Sequence, residues 1–194
     1  MKKLGSVGSI AQMLPGMGNV GVGVGNMQQQ AWALQAHAAA ALINFCDMCA
    51  PEVIEPYLEA LLSKLFARLR EGVRAVQEQA ITAVASLADC SEHLFGRFYD
   101  TFMPALKGVL AQGRPTKADR VFYGKALECI SLIGTAVGKA KFMPDALEVM
   151  HGMVGMQMAK LALDDPQRAY IVQTWSRIGK CLHSYDLGAR DKWF

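Results

Sequence analysis

Cysteine, histidine and glycine are the residues whose spacing could do chemistry in this chain. Cys46 and Cys49 form a C-x-x-C pair, and Cys90 with His93 forms a C-x-x-H pair. Thiolate and imidazole ligands at these spacings are those of structural zinc. Gly16, Gly18 and Gly21 satisfy G-x-G-x-x-G. The dinucleotide fingerprint also needs a strand before it, a helix after it and an acid about twenty residues on. Here Pro15 precedes the glycines, and no charged residue occurs between Lys3 and Asp47. No nucleotide site is expected. No Ser, His and acid set stands out. His37 lies in an apolar stretch and reads as a packed core residue; His151 and His183 read as surface or edge residues. The expectation is no enzyme, no cofactor and no catalytic residue.

The elements that would position these residues are helical throughout. In Ile54–Leu69 the apolar residues Ile54, Tyr57, Leu58, Leu61, Leu62, Leu65, Phe66 and Leu69 recur at i, i+3, i+4, i+7. That is one broad buried face of a helix. Glu55 and Glu59 lead its other face, and Lys64 and Arg68 follow, the order that suits the helix dipole. An amphipathic helix of this length is marginal alone and needs partners. Further periodic stretches supply them: 28–48, 73–90, 94–110, 116–137, one from about Phe142, and one after Asp164, Asp165 and Pro166. Thr116 is placed to cap one helix, and Asp165 with Pro166 to start another. No stretch alternates like a half-buried strand.

The 194 residues fit one domain, and 52% of them are hydrophobic, enough for a continuous core. A net charge of +3 is too small to imply nucleic acid or an anionic membrane as partner. Ala31–Cys46 is too short for a membrane span and carries Gln35, His37 and Asn44, so a buried helix is the expectation. Gly5, Gly8, Gly16 and Gly18 interrupt the stretch after Lys2 and Lys3, which argues against a secretory leader. The 5 cysteines are odd in number and lie mostly in helical patterns, as in a cytosolic or nuclear protein with reduced thiols.

The helices come in pairs that resemble one another. AALINFC at Ala40, AVASLAD at Ala83 and CISLIGT at Cys129 occupy one place in successive first helices. Each is followed by a second helix with an early proline: EPYLEALL at Glu55, MPALKGVL at Met103 and MPDALEVM at Met143. The period is roughly 40–47 residues with two helices per repeat, which points to HEAT. The fold class is therefore all-α, a HEAT-repeat (ARM-like) right-handed α-solenoid of about three to four helix pairs. The expected organisation is a flexible Gly/Met-rich arm at 1–27, the array at 28–184 and a tail at 185–194. In repeat register the C-x-x-C and C-x-x-H pairs fall on equivalent turns of neighbouring repeats and would approach each other. Such an array needs no metal, and none is expected.

HAAAALINFCDMCAPEVIEPYLEALLSKL, EQAITAVASLAD, YDTFMPALKGVL and KALECISLIGTAVGKAKFMPDA resemble the central HEAT repeats of importin-beta superfamily receptors, most nearly the importin five (importin beta-3) class. DDPQRAYIVQTWSRIGKCL extends the resemblance, which covers about His37 to Leu182. It implies a fragment or truncated form of a nuclear import receptor. Such a receptor binds protein cargo bearing nuclear localisation signals, engages Ran GTPase and nucleoporins in its full-length context, and shuttles between cytoplasm and nucleus. It has no nucleic-acid or membrane partner. If second helices line the concave face, Glu55, Glu59, Asp100, Asp145 and Glu148 are the candidate residues for basic cargo; Lys64, Arg68 and Arg70 on that surface weaken a simple acidic groove. A generic HEAT scaffold is the alternative. A third reading comes from KKLGSVGSIAQMLPGMGN, Lys2–Asn19, which is similar to the Met-rich M-domain loop of the signal recognition particle's GTPase subunit. It would make Met13 and Met17 contacts for apolar signal sequences.

Overall fold

The structure, a computed structural model, describes residues 20–111, 116, 119–157 and 161–183. They form α1 (Val20–Cys46), α2 (Pro51–Glu71), α3 (Arg74–Ser91), a 3₁₀ segment (Glu92–Arg97), α4 (Tyr99–Leu110), α5 (Arg120–Val137), α6 (Lys139–Gln157) and α7 (Gln167–His183). There is no strand among the described residues. None of their helices is long and apolar enough to cross a membrane.

Two layers run along the array. First helices α1, α3, α5 and α7 pack side by side, and second helices α2, α4 and α6 cover them. The first helices α3, α5 and α7 start at Arg74, Arg120 and Gln167, steps of 46 and 47 residues (120 − 74 and 167 − 120). Burial repeats with the same step. Val76, Ala80, Ile81, Ala83, Val84, Ala85, Leu87 and Ala88 are buried in α3. Their counterparts 46 positions on, Phe122, Ala126, Leu127, Cys129, Ile130, Ser131, Ile133 and Gly134, are buried in α5. This is a HEAT-type solenoid, in which each pair closes only against its neighbours.

The prolines explain why the second helices look alike. Pro56, Pro104 and Pro144 are each the sixth residue of their helix (51–56, 99–104, 139–144). An early proline removes only one hydrogen bond, to a carbonyl of the first turn. Pro51 opens α2 in the position where proline is tolerated. The Asp165 carboxylate caps α7 by accepting the Gln167 backbone N–H at 3.0 Å. At the α5–α6 turn Gly138 takes φ +81°, a conformation open to glycine at no steric cost.

Several local expectations change. α1 begins at Val20, ahead of the periodic start at Gln28, because a Val/Gly stretch carries no apolar stripe to announce it. Residues 94–110 are a 3₁₀ segment joined to a shorter α4, not one helix. Thr116 does not cap α5; its hydroxyl donates to Asp119, the residue before Arg120. Tyr57 is 62% exposed, on the rim of the apolar face of α2. His37 is exposed, because among the described residues α1 has a first-helix neighbour, α3, on one side only.

Candidate protein-binding surface

α4 presents two flanks beside its buried face of Tyr99, Phe102, Met103 and Leu106. One flank meets α2: Phe66 packs edge-on against Phe102 with ring centroids 5.3 Å apart. The other flank meets α6 through charge. Lys107 donates to Asp145 at 2.8 Å and also to Glu148. The Tyr99 hydroxyl donates to the second Asp145 oxygen at 2.5 Å. Lys141 reaches back from α6 to Asp100 at 3.2 Å and to the Gly96 carbonyl at 2.9 Å, with its ammonium 5.0 Å from the Tyr99 ring centre.

These contacts set the electrostatics. Partial burial opposes the Asp145 carboxylate, but hydrogen bonds from Lys107 and Tyr99 outweigh it and hold its pKa below the ordinary value. The Lys107 ammonium is favoured in turn by Asp145 and Glu148. Burial, then the Asp145 hydrogen bond, push the Tyr99 hydroxyl well above its usual range. Asp100, Asp145 and Glu148 therefore join one second helix to the next. The sequence gives one signal for this: Lys107 lies two turns beyond Asp100, and Lys141 one turn before Asp145, so each acid shares a flank with a base.

Glu55 and Glu59 are placed differently. Both are exposed on α2, and neither has an ion-pair partner among the described residues. Glu59 lies seven residues before Phe66, hence on the flank that turns toward α4. The structure does not join them to the Asp145 group. Lys64 and Arg68 lie on the opposite flank of α2, where an apolar groove of about 570 Å³ opens between α1, α2 and α3, lined by Ala38, Ala39, Leu42, Leu61 and Leu65 among others.

The first-helix layer carries its own ladder of pairs. Arg74 meets Asp119 at 2.8 Å and lies 4.0 Å over the Phe122 ring. Arg120 meets Asp165 at 2.5 Å, and Arg177 meets Glu128 at 3.3 Å. Each links one repeat to the next.

Cys46 is buried in the core, and Cys49 and Cys90 are half-buried against it. The Cys90 thiol donates to the Leu87 carbonyl at 3.6 Å. His93 is exposed. Among the described residues no group of three or more His, Cys, Asp or Glu could hold a metal ion.

Stacked helix pairs whose polar groups knit repeat to repeat define a HEAT-type solenoid, a class that works through its surfaces. No protein-family model matches the chain. Over 149 residues, 77% of this chain, it is 42% identical to importin subunit beta-3 of Saccharomyces cerevisiae, of which it spans 14%. It is 26% identical over 141 residues to a probable importin-5 homolog of Dictyostelium discoideum, covering 73% of this chain and 13% of that protein. Among solved structures, the karyopherin Kap121p bound to Pho4p aligns with a TM-score of 0.71 at 40% identity, over 78% of this chain and 14% of that one. Kap121p bound to RanGTP aligns with a TM-score of 0.62. The helical array belongs to the importin beta-3 (importin-5) type of karyopherin. It spans about one seventh of the length of the relatives it matches, 14% of the yeast protein. Residues Lys2–Asn19, which carry the signal-recognition-particle resemblance, lie outside the described residues.

Proposed function

We propose that this chain is a HEAT segment of a nuclear import receptor and contributes a cargo-binding surface to it. The observation that carries the reading is the 42% identity to importin subunit beta-3 over 149 residues, 77% of this chain. Kap121p is a karyopherin solved bound to Pho4p, to Nup53p and to RanGTP. By extension, the receptor containing this segment takes protein cargo with basic localisation signals, meets nucleoporins and RanGTP, and moves between cytoplasm and nucleus. Its mechanism is reversible surface recognition by a solenoid, with no enzymatic step and no cofactor.

Of the five candidate acids, Glu55 and Glu59 are the carboxylates left open to a basic peptide. Asp100, Asp145 and Glu148 already face Lys107 and Lys141, so a peptide lysine must compete with those partners. They form the secondary part of the same surface. The test is fluorescence polarisation of a labelled Lys/Arg-rich localisation peptide against the intact chain. Glu55→Lys with Glu59→Lys is expected to weaken binding at least about tenfold, and more at low salt than at high. Unchanged affinity rejects the two glutamates as the cargo site. No binding by the unaltered chain, together with none by its full-length parent, leaves a general HEAT scaffold as the function.

A further inference from the structure

The apolar groove beside α2 has no part in the cargo reading. It forms because α1 and α2 both pack against α3 and barely touch each other. Val76 and Ala80, one turn apart on α3, make its floor; Ala39 and Leu42 of α1 and Leu61 and Leu65 of α2 make its walls. The lining runs over Gln35–Leu42 and Leu61–Arg68, two helical turns on each side, or roughly 10 Å. Lys64 and Arg68, one turn apart, line it as well. Both are exposed, and neither has an ion-pair partner among the described residues. No carboxylate lines the groove. We propose that this groove binds an amphipathic helix of a protein partner, its apolar stripe on the floor and two carboxylates, one turn apart on its flank, facing Lys64 and Arg68.

The array already seats a helix in the corresponding place. α3 and α4 are the register counterparts of α1 and α2. α2 lies on that pair, packed along α3 and touching α4 through Phe66 against Phe102. Among the described residues no helix takes that place on the α1–α2 pair. The apolar lining also selects the backbone of the ligand. An extended segment would lay unpaired N–H and C=O groups on Leu, Val and Ala side chains, at a cost. A helix pairs its own backbone groups and offers the groove only side chains. Charge then selects the flank. An ammonium and a guanidinium four residues apart match two carboxylates at the same spacing on a helix laid beside them. This site is on the flank of α2 opposite Glu55 and Glu59, so the failure of either leaves the other standing.

The test is a fluorescence titration of the intact chain with a labelled synthetic helix. The probe carries leucines at i, i+3, i+4 and i+7 and two glutamates one turn apart on one flank; a second probe carries lysines in place of the glutamates. The glutamate probe is expected to bind at least about tenfold more tightly than the lysine probe, and less tightly as salt is added. Lys64→Glu with Arg68→Glu should reverse that preference. Both residues are exposed, so the variant keeps its fold. Ala38→Phe, at an exposed position of the groove lining, should block both probes by filling the space. Arg70→Glu, exposed on α2 outside the lining, should change affinity by less than about twofold. No binding of the glutamate probe overturns the proposal. So does a loss in Arg70→Glu as large as that in the double variant, which would mean a diffuse field rather than a seat. A chain that dimerises through the groove, with the dimer lost in Ala38→Phe and the probe excluded, assigns the groove to a second copy and overturns it as well.

Discussion

α1 and α5 are both first helices of their pairs, yet they bury very different shares of their apolar surface. In α5, Phe122, Leu127, Ile130 and Ile133 are all at most 5% exposed. Among the side chains described in α1, those from Met27 on, only Ala39 and Cys46 are buried, while Leu34 is 70%, Phe45 50% and Trp32 36% exposed. The difference is position. α5 has α3 on one side, α7 on the other and α4 and α6 across it. Among the described residues, α1 has a first-helix neighbour on one side only, α3. In a solenoid, apolar periodicity states what a helix is able to bury, and its neighbours decide how much of that it does bury. Fully burying one such side chain contributes about 1.5–3 kcal/mol, so the two helices are held with very different strength.

Truncation reads this contrast most directly. Ile130→Ala, at a position 0% exposed, is expected to cost about 2–5 kcal/mol in urea unfolding. Leu34→Ala is expected to change stability by no more than about 0.5 kcal/mol. Equal losses would mean that α1 is covered as fully as α5 in solution. Glycine gives the next test. A Cβ on Gly134 would lie 2.3 Å from the buried Phe142 ring, whereas one on Gly152 meets nothing within 4 Å. Gly134→Ala is expected to destabilise by about 1–3 kcal/mol despite the helix propensity of alanine. Gly152→Ala is expected to be neutral or to stabilise by up to about 1 kcal/mol. A harmless Gly134→Ala would show that α5 and α6 do not approach as closely as described.

The α4–α6 seam extends the comparison to charge. Asp145→Ala leaves Tyr99 and Lys107 without their shared acceptor and is expected to cost about 1–3 kcal/mol. The sign with pH follows from the directions of the shifts. The Asp145 pKa is lower in the folded chain, so its contribution is complete above the ordinary carboxylate value and is lost as pH falls through the folded value. The Lys107 pKa is raised, so its contribution holds below the ordinary lysine value and is lost as pH rises through the folded one. Unfolding midpoints should therefore fall below about pH 4 and again above about pH 10, and Asp145→Asn should flatten the acid limb. An unaltered acid limb in that variant would remove Asp145 from the seam.

The fold was legible because its signals are local. The sixth-position prolines, the Asp165 cap and the apolar period of α3 and α5 are all written within one turn or one helix. What depended on neighbours was not. His37 and Tyr57 sit in apolar stretches, and nothing inside those stretches says that one side stays open. The site was half legible for the same reason. Charge type and face marked Asp100 and Asp145 as surface acids, but their partners Lys141 and Lys107 are about 40 residues away in sequence, 41 and 38 positions respectively. Only the stacking of α6 on α4 brings them together.

The smallest expected stability effect separates the two kinds of acid in the second-helix layer. Glu55 and Glu59 have no ion-pair partner among the described residues, so Glu55→Gln with Glu59→Gln removes charge and leaves the packing intact. The unfolding midpoint should stay within about 1 °C of the unaltered chain. Removing charge at Asp145 should move it by several times that. The ratio matters more than either value. Large at Asp145 and near zero at Glu55 and Glu59 means that the array assigns its carboxylates two jobs, joining repeats and facing solvent, and only the second kind is open to a basic partner without competition. A midpoint that drops with the glutamate pair would place them in an interhelix contact with α4. The basic-peptide assay would then have to be repeated on Asp100, whose pairing with Lys141 is the more exposed of those in the seam.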